Sequence, residues 1–350
     1  MLVLTSLAAT FILPLIGCQH QAVTRVVVDY HDARPRTLES AKAMAGVKDV
    51  TPQQTVALAA HGDYHVGVDS RPDRLSVLSF NMHHRDQPSE LAIMANKLRS
   101  DVTETPDFIL LQEVVFGRSK HAGEENTAAV LANELDYYSR GTKRSSDHEG
   151  IAIISRYPFL YYAERKLQHQ TSRFLLGFNR VSVMGEFKVP EIGRVRVVNV
   201  HFTNWGFEER IRRGQLTETL QWVAQRQLEE PADLIIFGGD FNIEPEWDEL
   251  SLMRDKVATG GIEYAGYNDP ATATFGSTGN ATKRVDYIFI AEPHADASNL
   301  AYVDERALWA NGILVNTNRD RLVLSDHLPV LQEYRVRSAE ATAFANADQP

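Results

Sequence analysis

The chain has 350 residues, 43% hydrophobic, 23% charged and 9% aromatic, which excludes a collagenous, low-complexity or wholly disordered protein. Lys and Arg number 36 against 46 Asp and Glu, a formal charge of −10, so the chain as a whole lacks the basic field that gathers nucleic acid and only a local basic groove stays open. The single cysteine excludes a disulfide framework and a cysteine-rich zinc site.

Leu2 to Gly17 is an uncharged apolar run. It is shorter than the ~20 residues of a membrane span and suits the hydrophobic region of a signal peptide. It ends Leu15-Ile16-Gly17-Cys18, which resembles a bacterial lipobox, although the usual basic residue before the run is absent. The resemblance implies a signal over residues 1–17, a lipidated Cys18 and a lipid-anchored place in the cell envelope. Gln19, where an aspartate would favour inner-membrane retention, points toward the outer membrane. Residues 18–73 read as a tether partly docked on the domain, with a strand expected at Val23–Val28 and helical character at Thr37–Met44 and Pro52–Ala60.

Regular patterning begins at Arg74. Strands are expected at Leu75–Phe80, Phe108–Leu111, Ile151–Ile154, Val181–Phe187, Val195–Val200, Leu234–Phe237, Val285–Ile290 and Leu328–Tyr334, runs rich in Val, Ile, Leu and Phe. Helices are expected from Pro88 to Leu98, over Glu124–Leu135 and over Glu208–Leu228, the last with Ile211, Leu216, Leu220 and Val223 on one face. The turn Glu191-Ile192-Gly193 joins two adjacent strands. The alternation predicts a mixed α/β sandwich over residues 74–336, followed by an Ala-rich flexible tail at 337–350.

Polar residues collect where the apolar runs end: Asn81, Gln112-Glu113, His201, Gly238-Gly239-Asp240-Phe241-Asn242, Asp286 and Ser325-Asp326-His327. Strand ends over a packed sheet are a rigid place to build a site. Singly each has an ordinary reading, a turn for Asn81 or a structural histidine for His201. Together their oxygens suit a hard divalent cation, and two histidines among carboxylates suit phosphate stabilisation and proton transfer.

Seven segments carry a resemblance: Ser79-Phe80-Asn81-Met82-His83-His84, Leu111-Gln112-Glu113-Val114, Ser155-Arg156-Tyr157-Pro158, Asn199-Val200-His201-Phe202, Gly239-Asp240-Phe241-Asn242, Val285-Asp286-Tyr287-Ile288-Phe289 and Ser325-Asp326-His327-Leu328-Pro329-Val330. In this order they resemble the motifs of the endonuclease/exonuclease/phosphatase superfamily, over about Arg74 to Tyr334. The resemblance implies a four-layer α/β sandwich like deoxyribonuclease I, two mixed sheets face to face with helices outside. It implies Glu113 with Asn81 as the main metal pair, and Asp326 touching that metal or a second one. Asp240 and Asn242 would position the attacking water and hold the scissile phosphate. Asp286 and His327 would form a carboxylate–imidazole dyad, and His201 would donate to a phosphate oxygen. His83 and His84 are extra imidazoles that line the site, and Arg85 stands where glycine is common. The segment Thr274-Phe275-Gly276 departs from the family's loop and leaves specificity open.

The function expected is a phosphoesterase dependent on Mg²⁺, with Mn²⁺ or Ca²⁺ as alternatives and one or two ions. Nuclease activity ranks ahead of sphingomyelin, phospholipid or inositol-phosphate hydrolysis. No protein partner is expected beyond the phosphate-ester substrate and the membrane. Arg140, Lys143 and Arg144, with Arg173 and Arg180, would track a phosphate backbone; Phe174–Phe178, Phe202, Trp205 and Phe207 would instead form an apolar rim. The alternative of another class is a catalytically silent module that docks phosphate in the same cleft.

Overall fold

Runs such as Leu75–Phe80 and Leu234–Phe237 mark strands covered on both faces, because successive side chains point to opposite sides of a sheet. The computed structural model describes residues 24–26 and 73–336 apart from 101, 103–104, 118–125, 145–147, 170–179, 205–207, 267–271, 277–280, 294–299, 309–313, 318–319 and 324. The elements begin with β1 (Thr24–Val26), β2 (Arg74–Asn81), α1 (Pro88–Ser100), β3 (Phe108–Val115), α2 (Thr127–Leu135), β4 (Tyr138–Lys143), β5 (Glu149–Ser155) and β6 (Phe159–Lys166). They continue with β7 (Val181–Val189), β8 (Gly193–His201), α3 (Glu209–Glu229), β9 (Leu234–Asp240), a 3₁₀ helix (Asp248–Arg254), β10 (Asp286–Ala291), β11 (Leu300–Ala307), a hairpin of β12 (Leu314–Thr317) and β13 (Asp320–Val323), and β14 (Val330–Val336).

Two six-stranded sheets result, ordered β11-β14-β2-β3-β5-β4 and β1-β6-β7-β8-β9-β10. Each is mixed: β2 runs parallel to β3, and β8 parallel to β9, while the other pairings are antiparallel. Strand parity explains the layers. Leu75, Val77, Phe108, Leu110, Val195, Val197, Leu234 and Ile236 meet between the sheets. Their neighbours Leu78, Phe80, Ile109 and Leu111 turn outward onto Leu91, Met94, Leu98 and Leu131 of α1 and α2. On the other side Val198, Val200, Ile235 and Phe237 pack on Leu216, Leu220 and Val223 of α3. The architecture is therefore the expected helix–sheet–sheet–helix sandwich. Each such aliphatic or aromatic side chain contributes roughly 1.5–3 kcal/mol by burial, so the strand pattern is strongly specified.

All eight expected strands are present, and β1 falls within the expected Val23–Val28 strand, pairing with β6. Helix α2 starts later than expected, at Thr127, because Asn126 caps it through a hydrogen bond from the Ala129 N–H at 2.9 Å. Strands β4, β6, β11, β12 and β13 were not expected. Of these β4 and β11 are sheet edges, and the sequences Tyr138–Lys143 and Leu300–Ala307 carry the charged residues that edges tolerate.

Helix α3 buries Leu216, Leu220 and Val223 of its expected apolar stripe, and polar residues beside them. Ile211 is half-buried, whereas Arg212, Gln215, Thr219 and Gln227 are buried. Each polar group meets a partner: Arg212 bonds Glu249 at 2.8 Å, Gln215 takes the Thr203 N–H at 3.0 Å, Thr219 meets Ser182 at 2.9 Å, and Gln227 accepts from Arg196 at 2.7 Å. Beneath its C-terminal half, Glu186 on β7 accepts from Arg196 Nε at 3.0 Å, Arg226 Nε at 2.9 Å and Arg194 at 2.9 Å. Glu186 and Arg196 are both fully buried.

Candidate active site

Parallel pairing of β2 with β3 and of β8 with β9 brings four C-terminal strand ends to one end of the sandwich. They carry Asn81, Gln112-Glu113, His201 and Asp240. Antiparallel β10 delivers Asp286 directly opposite Asp240, and His327 arrives just before β14. Six segments distant in sequence thus meet through strand register within each sheet, the packing of the two sheets and the loop before β14.

At the centre lies Asp240, almost fully buried. Its Oδ2 accepts from Asn81 Nδ2 at 3.1 Å and faces two imidazoles, His201 Nε2 at 3.5 Å and His327 Nε2 at 3.8 Å. Its Oδ1 accepts the Asn242 N–H at 2.9 Å. The other nitrogen of His327, Nδ1, lies 2.9 Å from Asp286 Oδ2, and the Phe275 ring packs on the imidazole at 4.8 Å between centroids. Ser325 ties this loop to β2: its Oγ donates to the Asn81 carbonyl at 2.7 Å and accepts the His327 N–H at 3.0 Å. Thr274 Oγ1 accepts the Asp286 N–H at 3.2 Å.

The two histidines have opposite charge states. Burial pushes His327 toward the neutral form, but Asp286 and Asp240 outweigh it and raise its pKa to about 10. Burial and the nearby Arg180 hold His201 well below its ordinary pKa, so it is neutral. Burial, with the negative charge of Asp286 adding to it, pushes Asp240 up to about 7. Glu113 behaves differently: the hydrogen bond and charge of His84, with a hydrogen bond from Asn81, overcome burial and hold it well below the carboxylate range.

Backbone strain gathers here as well. Of six described non-glycine residues at positive φ, four are His83 (49°), His84 (56°), Glu113 (54°) and Asn242 (52°). Such conformations cost about 1–3 kcal/mol each and persist where surrounding structure imposes them. Glu113 sits at a β-bulge, where the β3/β5 register shifts between Leu111 and Val114. Gly239 has φ 137°, and a Cβ there would lie 2.1 Å from the Val200 carbonyl oxygen, so only glycine lets β9 enter Asp240 this close to β8.

The family described as Endonuclease/Exonuclease/phosphatase matches residues 78–327, the span from β2 to His327. The chain belongs to this family. It is accordingly a phosphoric ester hydrolase. Uncharacterized protein YbhP of Escherichia coli strain K12 is 26% identical over 195 residues, covering 53% of this chain and 72% of YbhP. Among solved structures, an endonuclease/exonuclease/phosphatase family protein from Bacteroides thetaiotaomicron shares the fold with a TM-score of 0.58 at 16% identity, covering 76% of this chain and 96% of that one. A humanized TDP2 from D. rerio matches with a TM-score of 0.53 at 18% identity over 75% and 98%. The human Nocturnin catalytic domain matches at 0.53 and 17% over 75% and 94%.

The donor set of this family member fits a hard divalent cation. Asp240, Asp286 and His327 offer ligand atoms within 4.8 Å of one another, and the buried Asp286 Oδ1 has no hydrogen-bond partner among the described residues. A cation on His327 Nδ1 would displace the 2.9 Å contact with Asp286, and Nε2 carries a proton at neutral pH because the ring's pKa is raised to about 10, so the oxygens are the better donors. Glu113 and Asp326, partly exposed, offer oxygens on the open side. Asn81 is oriented differently from the expected ligand: its Oδ1 accepts the His83 N–H at 3.0 Å, and its Nδ2 faces Glu113 at 3.3 Å and Asp240. It presents a donor to the centre.

Other expectations change. Arg144 is buried in an ion pair with Glu149 and so does not join Lys143 in an exposed basic track. Phe202 is fully buried, edge-on to Phe241 at 5.4 Å, and is core rather than an apolar rim. Arg173, Phe174–Phe178, Trp205, Phe207 and Cys18 lie outside the described residues. Gln112 and Asn199, whose side chains bond at 2.8 Å between the sheets below the site, had no assigned role. Asn199 also donates to the Leu111 and Ala152 carbonyls at 2.9 and 2.8 Å, which pins the two sheets together under the strand ends.

Proposed function

We propose that this protein is a divalent-cation-dependent phosphodiesterase, with Mg²⁺ as the cation, which hydrolyses its ester by in-line attack of water on phosphorus. The observation that carries the reading is the convergence of His201 Nε2, His327 Nε2 and Asn81 Nδ2 on one oxygen of Asp240. A phosphate oxygen set beside it would meet a neutral imidazole, a charged imidazole and an amide donor, which is a preorganised arrangement for developing negative charge. Asp240, with its pKa near neutrality, is suited to orient the water and take its proton. Asn242 fixes Asp240 through its backbone N–H. Asp286 holds the His327 ring and supports its charge across the neutral range. The cation, when bound, neutralises charge on the phosphate and lowers the pKa of water. The P–O ester bond breaks opposite the new P–O bond, and the ester oxygen leaves.

A nucleic acid is the favoured substrate. Arg180 is buried and so is no part of an exposed basic track, but it acts electrostatically on His201, and its pKa, lowered to about 9 by burial, still leaves it charged at neutral pH, a further cation acting on the centre. Human Nocturnin, which shares the fold, has been solved with a bound sulfate anion, a tetrahedral analogue of phosphate. A panel of single- and double-stranded DNA, RNA, sphingomyelin, phosphatidylcholine and inositol phosphates tests the assignment. Cleavage of DNA or RNA at rates above all the others is expected; preferential release of phosphocholine or inorganic phosphate would replace it.

We also propose that Cys18 anchors the protein to the envelope through lipid. Among the described residues no helix is long and apolar enough to cross a membrane. Labelled palmitate fed to expressing bacteria should enter the wild-type protein and not Cys18→Ser. Equal labelling of both would end this reading.

A further inference from the structure

The chemistry above leaves His83, His84, Glu149 and Arg144 without a task. We propose that His84 is a positioning residue, the middle of a relay from Arg144 through Glu149 that fixes the Glu113 carboxylate for the cation. The inference rests on the cation-dependent reading of the site. His84 Nε2 lies 2.9 Å from Glu113 Oε2, and its Nδ1 lies 3.0 Å from Glu149 Oε1. A ring between two carboxylates donates from both nitrogens, so it has no lone pair left to ligate a cation. The other oxygen of Glu149 takes Arg144, and the other oxygen of Glu113 takes Asn81 Nδ2 at 3.3 Å. Both Glu113 oxygens are therefore aimed by the protein.

The backbone supports the same division of labour. Two successive left-handed residues, His83 and His84, set their rings 5.7 Å apart and tilted by 60°. His83 thereby turns to Asp326, Nδ1 to Oδ1 at 2.6 Å, while His84 turns to Glu113. Each imidazole holds one of the two carboxylates on the open side of the centre. Among the described residues, the one group of three or more with ligand atoms close enough to share an ion is Asp240, Asp286 and His327, which contains neither His83 nor His84. The geometry of the pair is that of hydrogen-bond partners to ligands.

Charge and orientation predict opposite outcomes for removing the ring. An imidazolium beside Glu113 repels a divalent cation, so if charge were its whole effect His84→Ala would bind the cation more tightly. If it orients Glu113, binding weakens, since loss of such a hydrogen-bonding partner typically costs about 10–100-fold in metal affinity. Calorimetric titration of the full chain with Mg²⁺ decides. We expect His84→Ala to raise the dissociation constant about ten-fold or more, with kcat at saturating Mg²⁺ unchanged. His84→Gln, which keeps one donor for Glu113, should recover part of the loss, and Glu149→Gln should weaken binding in the same direction. Unchanged or tighter binding by His84→Ala overturns the proposal, as does a lowered kcat at unchanged affinity. Failure of the underlying reading looks different: the wild-type protein itself would then neither bind Mg²⁺ nor hydrolyse bis-p-nitrophenyl phosphate.

Discussion

Asp240→Ala should lower kcat on a phosphodiester by about 10²–10⁴-fold, the range for loss of a positioned acid–base group, without lowering the melting temperature. The two halves of the result have one cause. Asp240 is buried beside Asp286 and its charged form is disfavoured by both, so its removal relieves repulsion that offsets the lost hydrogen bonds from Asn81 and Asn242. His327→Ala should cost a similar factor in kcat but also destabilise the fold. Its imidazolium lies 2.9 Å from Asp286, and truncation removes that compensation from a buried carboxylate, a loss of about 3–5 kcal/mol in comparable cases. Steady-state kinetics at saturating Mg²⁺ with thermal melting of both variants checks the contrast. Activity surviving in Asp240→Ala would remove it from the proton-transfer role.

Glu186→Gln should destabilise the protein by about 3–5 kcal/mol while leaving kcat at saturating cation intact. Arg196 is fully buried on the face of β8 turned toward α3, and Glu186 is the carboxylate that neutralises it. Burial alone would raise the Glu186 pKa, but the hydrogen bond from Arg226 and the charges of Arg196 and Arg226 hold it below its ordinary 4.5. The sign of the pH dependence follows: a carboxylate with a depressed folded pKa contributes stability above its unfolded pKa and loses it as pH falls through the folded value. Denaturant unfolding from pH 7 downward should show wild type and variant far apart at neutrality. The gap should narrow below about pH 4.5. A constant gap across that window would mean that packing, not the charge of Glu186, is what the substitution removes.

The sequence was most legible where physics leaves one solution. Strands buried on both faces, such as Leu75–Phe80 and Leu234–Phe237, announce themselves by continuous apolar runs, and the residues that end them form the centre because parallel register brings those ends together. Edge strands were hidden for the converse reason. Strand β4 reads Tyr-Ser-Arg-Gly-Thr-Lys, and β11 holds Asp304, Glu305 and Arg306, sequences with no apolar face to mark them. Buried polar residues were hidden too, since Arg196, Arg212 and Gln215 look like a solvated surface until a partner far along the chain covers them.

Within the centre, motif order pointed to Asn81, Glu113, His201, Asp240, Asn242, Asp286 and His327, and the fold places all of them at one end of the sandwich. What motif order could not supply was orientation and charge. That Asn81 turns its amide nitrogen to the carboxylates follows from the His83 N–H, which claims its oxygen. The division between a charged His327 and a neutral His201 follows from which neighbours each meets after folding. Arg144 looked like part of a surface track because its ion-pair partner Glu149 stands on β5 and meets it only once β4 and β5 align.

The central claim is that this centre hydrolyses a phosphodiester with a divalent cation, and the most direct measurement is release of p-nitrophenol from bis-p-nitrophenyl phosphate by the purified protein. The rate should be high with Mg²⁺, fall to background in EDTA and return when Mg²⁺ is restored. No hydrolysis with Mg²⁺, Mn²⁺ or Ca²⁺, or hydrolysis undiminished in EDTA, would contradict it.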